Sequence, residues 1–373
     1  MKIACVGSGW YPQEPGGLEK YVYGMTHALL AAGDSVDVFV TGAPHLDAPN
    51  GRAYSIGVPG EPLWKRMRDA RATFARSLRG PYDVINMHFA MNALPLIPFI
   101  SHAIPRVIHF HGPWAAESKA EGGGALSVSI KACLERYVYS RADRFIVLST
   151  AFKEILTEYG VEPARIAVIP MGIDTNFFTP GDGRARARTQ LGWPQYATIF
   201  FTARRLVNRV GLHELLEAAR IVCATHPKAL IKIAGKGPLR AELDRMIAAS
   251  ELAGNVEMLG FVSEDDLVQA YRAANVTLLP SQALEGFGTI ISESLACGTP
   301  AIVTPIGGMP EAVAPLGAEL IARSAAPHDI AERMSAVVSG TLLPSSDVCR
   351  AYAVEHFDWQ VVVRRIKSVF VDL

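Results

Sequence analysis

At 373 residues the chain has the length of about two ordinary domains, and its 50% content of hydrophobic residues is enough for two sizeable cores. Lys plus Arg and Asp plus Glu each number 36, which excludes a global field toward nucleic acid or acidic surfaces, so a charged partner has to be met by a local patch. The five cysteines (Cys5, Cys133, Cys223, Cys297, Cys349) are odd in number, far apart and without C-x-x-C, which argues against a disulfide framework and a structural zinc site and fits a reducing cytosol.

The first predicted strand is KIACV, and its four apolar residues before glycine are too few for a signal-peptide core. No later stretch approaches the roughly 18 apolar residues of a membrane span. The loop after this strand, GSGWYPQEPGGLEKYV, begins like a dinucleotide fingerprint at Gly7 and Gly9, but Pro12 stands where the third glycine belongs. Gly16 and Gly17 come just before a helix with Glu19 in its first turn, so backbone N–H groups there could face an anion. The strand SVDVFV follows, then EPLWKRMRDARATFARSLRG, residues 61 to 80. In that segment Leu63, Met67, Ala70, Phe74 and Leu78 share one helical face, and Lys65, Arg68, Arg76 and Arg79 the other. It reads either as a surface helix with a solvated basic side or as a contact for an anionic membrane or phosphorylated acceptor.

DVINMHF and RVIHFH are the third and fourth predicted strands. Alternation puts His109 and His111 on one face. H-x-H can be half of a metal site, yet no partner stands at recognisable spacing, and no metal is assigned. His111, followed by Gly112 and Pro113 at the strand tip, is placed to touch substrate, and His109, one pleat deeper, belongs to the core. The Gly-rich loop of residues 112 to 125 is a candidate acceptor loop. After RFIVLS, the segment PMGIDTNFFTPGDGRARARTQLGWP interrupts the alternation and reads as a linker. The boundary is expected near Thr179, giving domains of residues 1–178 and 179–357.

In the second half, ATIFFTA ends at Arg204, Arg205 and Arg209, whose guanidinium forks suit phosphate oxygens. LIKIAG leads into GKGP at Gly235, which lacks the P-loop spacing, and NVEMLG ends at Gly260. NVTLLP is followed by the turn EGFG and a helix over TIISESLACG, whose N-terminus offers unpaired N–H groups to a diphosphate. Glu293 lies one turn beyond Thr289, where its two oxygens could grip a ribose diol, and Glu285 sits on the turn. PAIVT is the last strand. The tail of residues 358 to 373 has helical spacing and either returns to the first domain or caps the second. Strands apolar on both faces, alternating with helices, give an α/β class of two doubly wound domains with parallel sheets, whose loops can meet across a cleft.

The motifs PGGLEKYV, HFHG, RRLVNRVG, AGKGP, EGFGTIISESLACGTPAIV and GGMPE stand in the order of family 4 retaining glycosyltransferases with the GT-B fold, and the chain resembles that family over most of its length. The resemblance implies transfer of a sugar from a UDP- or GDP-linked donor with retention of configuration, no essential metal and no other cofactor. The implied acceptor is a glycan, a lipid-linked molecule or a small molecule, in cytoplasmic synthesis of cell-surface polysaccharide or glycoconjugate, with peripheral membrane contact through residues 61–80 as one option. It further implies that His111, Arg205 and Glu285 are catalytic and that Gly16 and Gly17 lie against the donor. Arg209, Gly235, Phe287, Gly288, Thr289 and Ile290 would line the donor site, Gly260, Phe261 and Val262 would seat the base, and Glu293 would bind the ribose. The tail is expected on the first domain. One departure stands out: the family pattern R-x5-K-G has Val210 where the lysine belongs, with Arg209 or Arg204 as substitutes. A nucleotide-sugar epimerase or hydrolase on the same fold, and a weakly catalytic binder, are the competing readings.

Overall fold

Residues 1–14, 16–78, 81–101, 103–341 and 343–373 are described by a computed structural model. The chain forms two compact units, Met1–Gly172 with Asp358–Leu373, and Ile173–Phe357.

In the first unit the order is β1 (Lys2–Val6), α1 (Gly17–Ala31), β2 (Ser35–Val40), β3 (Gly51–Ser55), α2 (Leu63–Ser77), β4 (Val84–His88) and the single turn α3 (Ala90–Ala93). Then come β5 (Arg106–Phe110), α4 (Trp114–Ala120), α5 (Ala125–Tyr139), β6 (Arg144–Val147), α6 (Thr150–Glu158) and β7 (Ile166–Val168). The sheet runs β3-β2-β1-β4-β5-β6-β7, parallel throughout. Every residue of β4 and β5 is buried, as expected for strands covered on both faces.

The second unit contains α7 (Arg184–Leu191), β8 (Thr198–Ala203), α8 (Leu212–Thr225), β9 (Ala229–Ala234), α9 (Arg240–Ala249), β10 (Val256–Gly260) and α10 (Glu264–Ala273). It continues with β11 (Val276–Leu279), α11 (Thr289–Ala296), β12 (Ala301–Val303), α12 (Met309–Val313), α13 (Pro327–Val338) and α14 (Ser346–Phe357). Its sheet order is β10-β9-β8-β11-β12, again all parallel. The last helix, α15 (Trp359–Val371), belongs to the first unit. Its Trp359 ring meets Tyr21 edge to face at 5.2 Å, and Lys367 pairs with buried Asp34 at 2.8 Å.

Three features differ from the expectation. The units divide between Gly172 and Ile173, not near Thr179. Residues 173–178 are tied to the second unit by Ile173 N–H donating to Phe357 O (2.7 Å) and by Arg350 donating to the carbonyls of Thr175 and Phe178 (2.7 Å each). Strands β3 and β7 were not anticipated, because GRAYS and IAV are short, partly exposed edge strands without a continuous apolar run. The strand carrying His109 is therefore the fifth, not the fourth.

Both sheets reverse winding direction at a central pair, β1/β4 in the first unit and β8/β11 in the second, and open sheets of this type bind ligands beyond the carboxyl ends of such strands. At that point in the second unit Gly211 starts α8 with φ +76°, and a Cβ there would lie 1.8 Å from Pro280 O. Gly211→Ala is therefore expected to destabilise the second unit by about 2 kcal/mol, read as a lowered urea midpoint at unchanged slope. An unaltered midpoint would show that the turn relaxes freely.

Candidate active site

In the second unit β8 ends at Ala203, and the next side chain, Arg204, turns toward the loop after β11. Its Nη2 donates to Ser281 Oγ (3.0 Å) and is ion-paired with Glu285, which also accepts from Ser281 Oγ at 3.1 Å. The EGFG turn is held from several sides. Gly308 N–H donates to Glu285 O (3.0 Å), and Gly307, at φ +57°, passes so close that a Cβ would lie 1.8 Å from the same oxygen. Arg209 Nη1 donates to Leu284 O (3.3 Å), and Leu284 itself has φ +53°, a strained conformation for a branched residue. Two guanidinium nitrogens, Arg204 Nη1 and Arg209 Nε, are buried without a hydrogen-bond partner among the described residues. Buried unpaired donors are uncommon, and two on neighbouring cations suit an anion.

Beside them α8 and α11 both begin on a left-handed glycine, Gly211 and Gly288, with no side-chain cap. The first N–H groups of these helices point out of the strand ends with the positive pole of the helix dipole. Gly235 approaches Arg204 O so closely that a Cβ would sit 1.8 Å away, and its N–H donates to Gly260 O at 2.6 Å. The loops at the ends of β8, β9 and β10 are thereby tied together. Phe261 is exposed beyond them, with Lys236 Nζ 4.7 Å from its ring centre, and Val262 is half-buried.

Several expectations change here. Arg205 is exposed, whereas Arg204 meets Glu285. The spacing contained that answer, since counting six residues back from Val210 in R-x5-K-G reaches Arg204. Val210 is buried in the short turn Asn208–Val210, so its position offers no charge to a ligand. The Phe287 side chain is buried 5.3 Å from the Phe357 ring, which leaves only its backbone for a ligand, while Thr289 and Ile290 are half-buried in the first turn of α11. Glu293 is buried, and Tyr271 donates its hydroxyl to Oε2 at 2.6 Å, so its two oxygens are not both open to a diol. Tyr271, from α10, carried no sequence signal, because only packing brings α10 against α11.

In the first unit the N-terminus of α1 begins at Gly16 and Gly17, both exposed. Its own Glu19 occupies that end: a Cβ on Gly16 would lie 2.1 Å from Glu19 Oε2, and Ser8 donates its hydroxyl to Glu19. The bare N–H groups expected there already face a carboxylate, which the helix dipole favours.

His111 follows β5, and Gly112 turns the chain at φ +152°. The missing histidine partner is His88, on β4, whose register pairs it with His109. His88 Nδ1 lies 3.0 Å from His111 Nε2, and Tyr21 OH lies 3.2 Å from His109 Nδ1. Burial, reinforced by the neighbouring imidazoles, holds His88 and His109 well below the usual range, and burial lowers His111 to about 3, so all three rings are neutral. One nitrogen from each lies within 4.8 Å of the others. The His88 and His111 rings are stacked (26°) and joined by a hydrogen bond, so the arrangement reads as a relay and not as lone pairs converging on an ion. The loop beyond His111 is fixed by Glu135, a buried carboxylate that accepts from Trp114 N (2.6 Å), Ala115 N (3.2 Å), Tyr139 OH (3.2 Å) and Tyr159 OH (2.8 Å).

A separate cavity of about 510 Å³ in the second unit, lined by Arg184, Arg272, Asn275, Thr299 and Ser346, lies by the amino ends of β11 and β12, away from these loops. Its arginines already donate to the carbonyls of Ala274 and Thr179.

Residues 183–356 match the family described as Glycosyl transferases group 1, and residues 15–177 match Glycosyltransferase Family 4. A D-inositol 3-phosphate glycosyltransferase from Acidothermus cellulolyticus is 31% identical over 394 residues, covering 96% of this chain and 86% of that protein. Among solved structures, sucrose-phosphate synthase (tll1590) from Thermosynechococcus elongatus superposes with a TM-score of 0.82 at 22% identity, covering 100% of this chain and 98% of that one. Anabaena Alr3699/HepE in complex with UDP-glucose gives a TM-score of 0.79 at 19% identity with both chains fully covered, and these two structural likenesses concern the fold.

Proposed function

The chain belongs to glycosyltransferase family 4, with the GT-B fold, and from that membership we propose that it moves a sugar from a UDP- or GDP-linked donor to an acceptor hydroxyl, with retention of configuration and without an essential metal ion. The observation that carries this reading is the pair of buried, unpartnered guanidinium nitrogens on Arg204 and Arg209 beside the uncapped starts of α8 and α11. A diphosphate leaving group gains negative charge as the glycosidic bond breaks, and preorganised donors stabilise it where no metal does. Arg204 and Arg209 are assigned to that charge. Arg209 replaces the cation absent at Val210, and the backbone N–H groups of Gly288 and Thr289 assist. Glu285, oriented by Arg204 and Ser281, is assigned to sugar hydroxyls, Glu293 to the ribose, the backbone of Gly260–Val262 to the base, and His111 to the donor sugar. The product is placed in cell-surface polysaccharide or glycoconjugate synthesis.

A thermal-shift screen of UDP- and GDP-sugars identifies the donor. Turnover with candidate acceptors then tests the reaction, with NMR of the product's anomeric centre and an EDTA control. Donor hydrolysis without glycosylated product, inversion at the anomeric carbon, or loss of activity in EDTA would each overturn part of the reading. The name of the relative from Acidothermus makes an inositol phosphate one acceptor to include. Between the two carboxylates, Glu285→Gln is expected to lower kcat about 100-fold. Glu293→Gln is expected to raise the nucleotide Kd about tenfold with kcat nearly unchanged. Equal, mild effects from both would refute the assignment.

No helix among the described residues is long and apolar enough to cross a membrane. Peripheral contact through residues 61–80 has a structural counterpart: α2 packs inward through Ala70 and Phe74, while Leu63 and Trp64 in its first turn are exposed and Arg68 lies 5.7 Å from the Trp64 ring. Leu63 is thus not on the buried face expected of it, because the helix begins there. Arg79 lies outside the described residues. We propose that this turn touches anionic lipid. Binding to vesicles containing phosphatidylglycerol should then fall at least about tenfold in a Trp64→Ala, Arg68→Glu, Arg76→Glu variant, and unchanged sedimentation would remove the proposal.

A further inference from the structure

The buried end of the histidine relay defines which nitrogen of His111 carries its proton. Asn86 Nδ2 donates to His88 Nε2 at 3.1 Å, and the Cys5 thiol lies 3.5 Å from the same nitrogen. His88 is fully buried, as are Asn86 and Cys5, so no water competes for these positions. A neutral imidazole has a single N–H. Facing the Asn86 amide nitrogen, which can only donate, Nε2 is the acceptor and the proton resides on Nδ1. Nδ1 in turn lies 3.0 Å from His111 Nε2. His111 therefore accepts through Nε2 and carries its own proton on Nδ1. The Tyr21 ring packs against that of His111 in a T-shaped contact, 4.9 Å between centroids at 71°, and Trp359 of α15 backs Tyr21 at 5.2 Å.

We propose that His88, oriented by Asn86, is a positioning residue that fixes His111 as its Nδ1–H tautomer, so that His111 offers an N–H donor to an oxygen of the donor sugar. The inference rests on the assignment of His111 to that sugar. It gives a role to the fully buried polar pair Asn86 and His88, which alternate along β4 with the apolar Ile85 and Met87. An apolar residue at 88 would leave either ring nitrogen of His111 free to hold the proton, and the donor would be present in only part of the molecules.

Long-range proton–nitrogen NMR of the whole chain labelled with 15N-histidine reads the tautomer directly, with His111 identified by its loss in His111→Gln. Wild type is expected to show the Nδ1–H form at His111. His88→Leu is expected to lose it and to lower kcat about tenfold with nucleotide affinity unchanged. His88→Asn, whose amide N–H falls near the lost Nδ1, is expected to restore both the tautomer and most of kcat. A wild-type His111 in the Nε2–H form overturns the proposal, and this result needs no variant to fold. So does a tautomer that changes in His88→Leu while kcat does not. Absence of any sugar transfer by wild type would instead sink the assigned function while the spectrum still decides the relay.

Discussion

Arg204→Met is expected to lower kcat/KM about 100- to 1000-fold, while Arg205→Met stays within about threefold of wild type. The two arginines are adjacent in sequence, but their surroundings differ. Arg204 Nη2 is bonded to Ser281 and paired with Glu285, and its Nη1 is buried with no partner among the described residues, whereas Arg205 is exposed. On the proposed function, removing Arg204 deletes one donor to the leaving diphosphate, an effect of that size by itself, and also frees the Glu285 carboxylate that it orients, which sets the loss toward the upper end of the range. Arg204→Lys is expected to recover only part of the rate, because an ammonium cannot span Ser281, Glu285 and a phosphate with one planar fork. Steady-state kinetics with the identified donor, with circular dichroism to confirm folding, settles the comparison. Equal losses at 204 and 205 would mean that the phosphate is held elsewhere.

Glu135→Ala should destabilise the first unit by at least about 3 kcal/mol, since four donors lose a buried carboxylate acceptor at once. The Ala115 N–H and the Tyr139 hydroxyl are buried, so water replaces the carboxylate poorly there, while Trp114 and Tyr159 are half-buried. In a domain of this size the change corresponds to a fall of about 6–12 °C in Tm. Glu135→Gln keeps one acceptor oxygen but sets an amide against the donors, and should fall between wild type and alanine. The loop joining His111 to α4 hangs from this carboxylate, so activity is expected to fail before global unfolding as temperature rises. A Tm within 2 °C or so of wild type in Glu135→Ala would show that these bonds are exchanged for solvent without cost.

The difference between these residues and the motif residues lies in how far each kind of information travels along the chain. EGFG, GKGP and GGMPE were legible because each is a local turn requirement. Gly307 and Gly235 have φ of +57° and +137°, a backbone conformation that favours glycine and is marked by the residue type alone. Glu135, Tyr271 and His88 were not legible, because each acts on a partner that is distant in sequence or lies on another element. Glu135 caps a helix that begins 21 residues earlier, Tyr271 reaches Glu293 across 22 residues, and His88 meets His111 across 23. The choice between Arg204 and Arg205 is of another kind. The three arginines in RRLVNR look alike as charges; the R-x5-K-G spacing singles out Arg204, and the side-chain directions at the strand end agree with it.

By itself the sequence determined the two-sheet parallel architecture, the glycine turns after β1, β8, β9 and β11, and the family, because alternating apolar runs and φ-restricted turns are encoded by neighbouring residues. Tertiary structure alone decided that Arg204 orients Glu285, that Glu19 already occupies the start of α1, and that His88 bonds to His111. Those pairings depend on strand register and on which side chains are buried together, and desolvation, which sets their charge and hydrogen-bond direction, exists only once the sheet is covered on both faces.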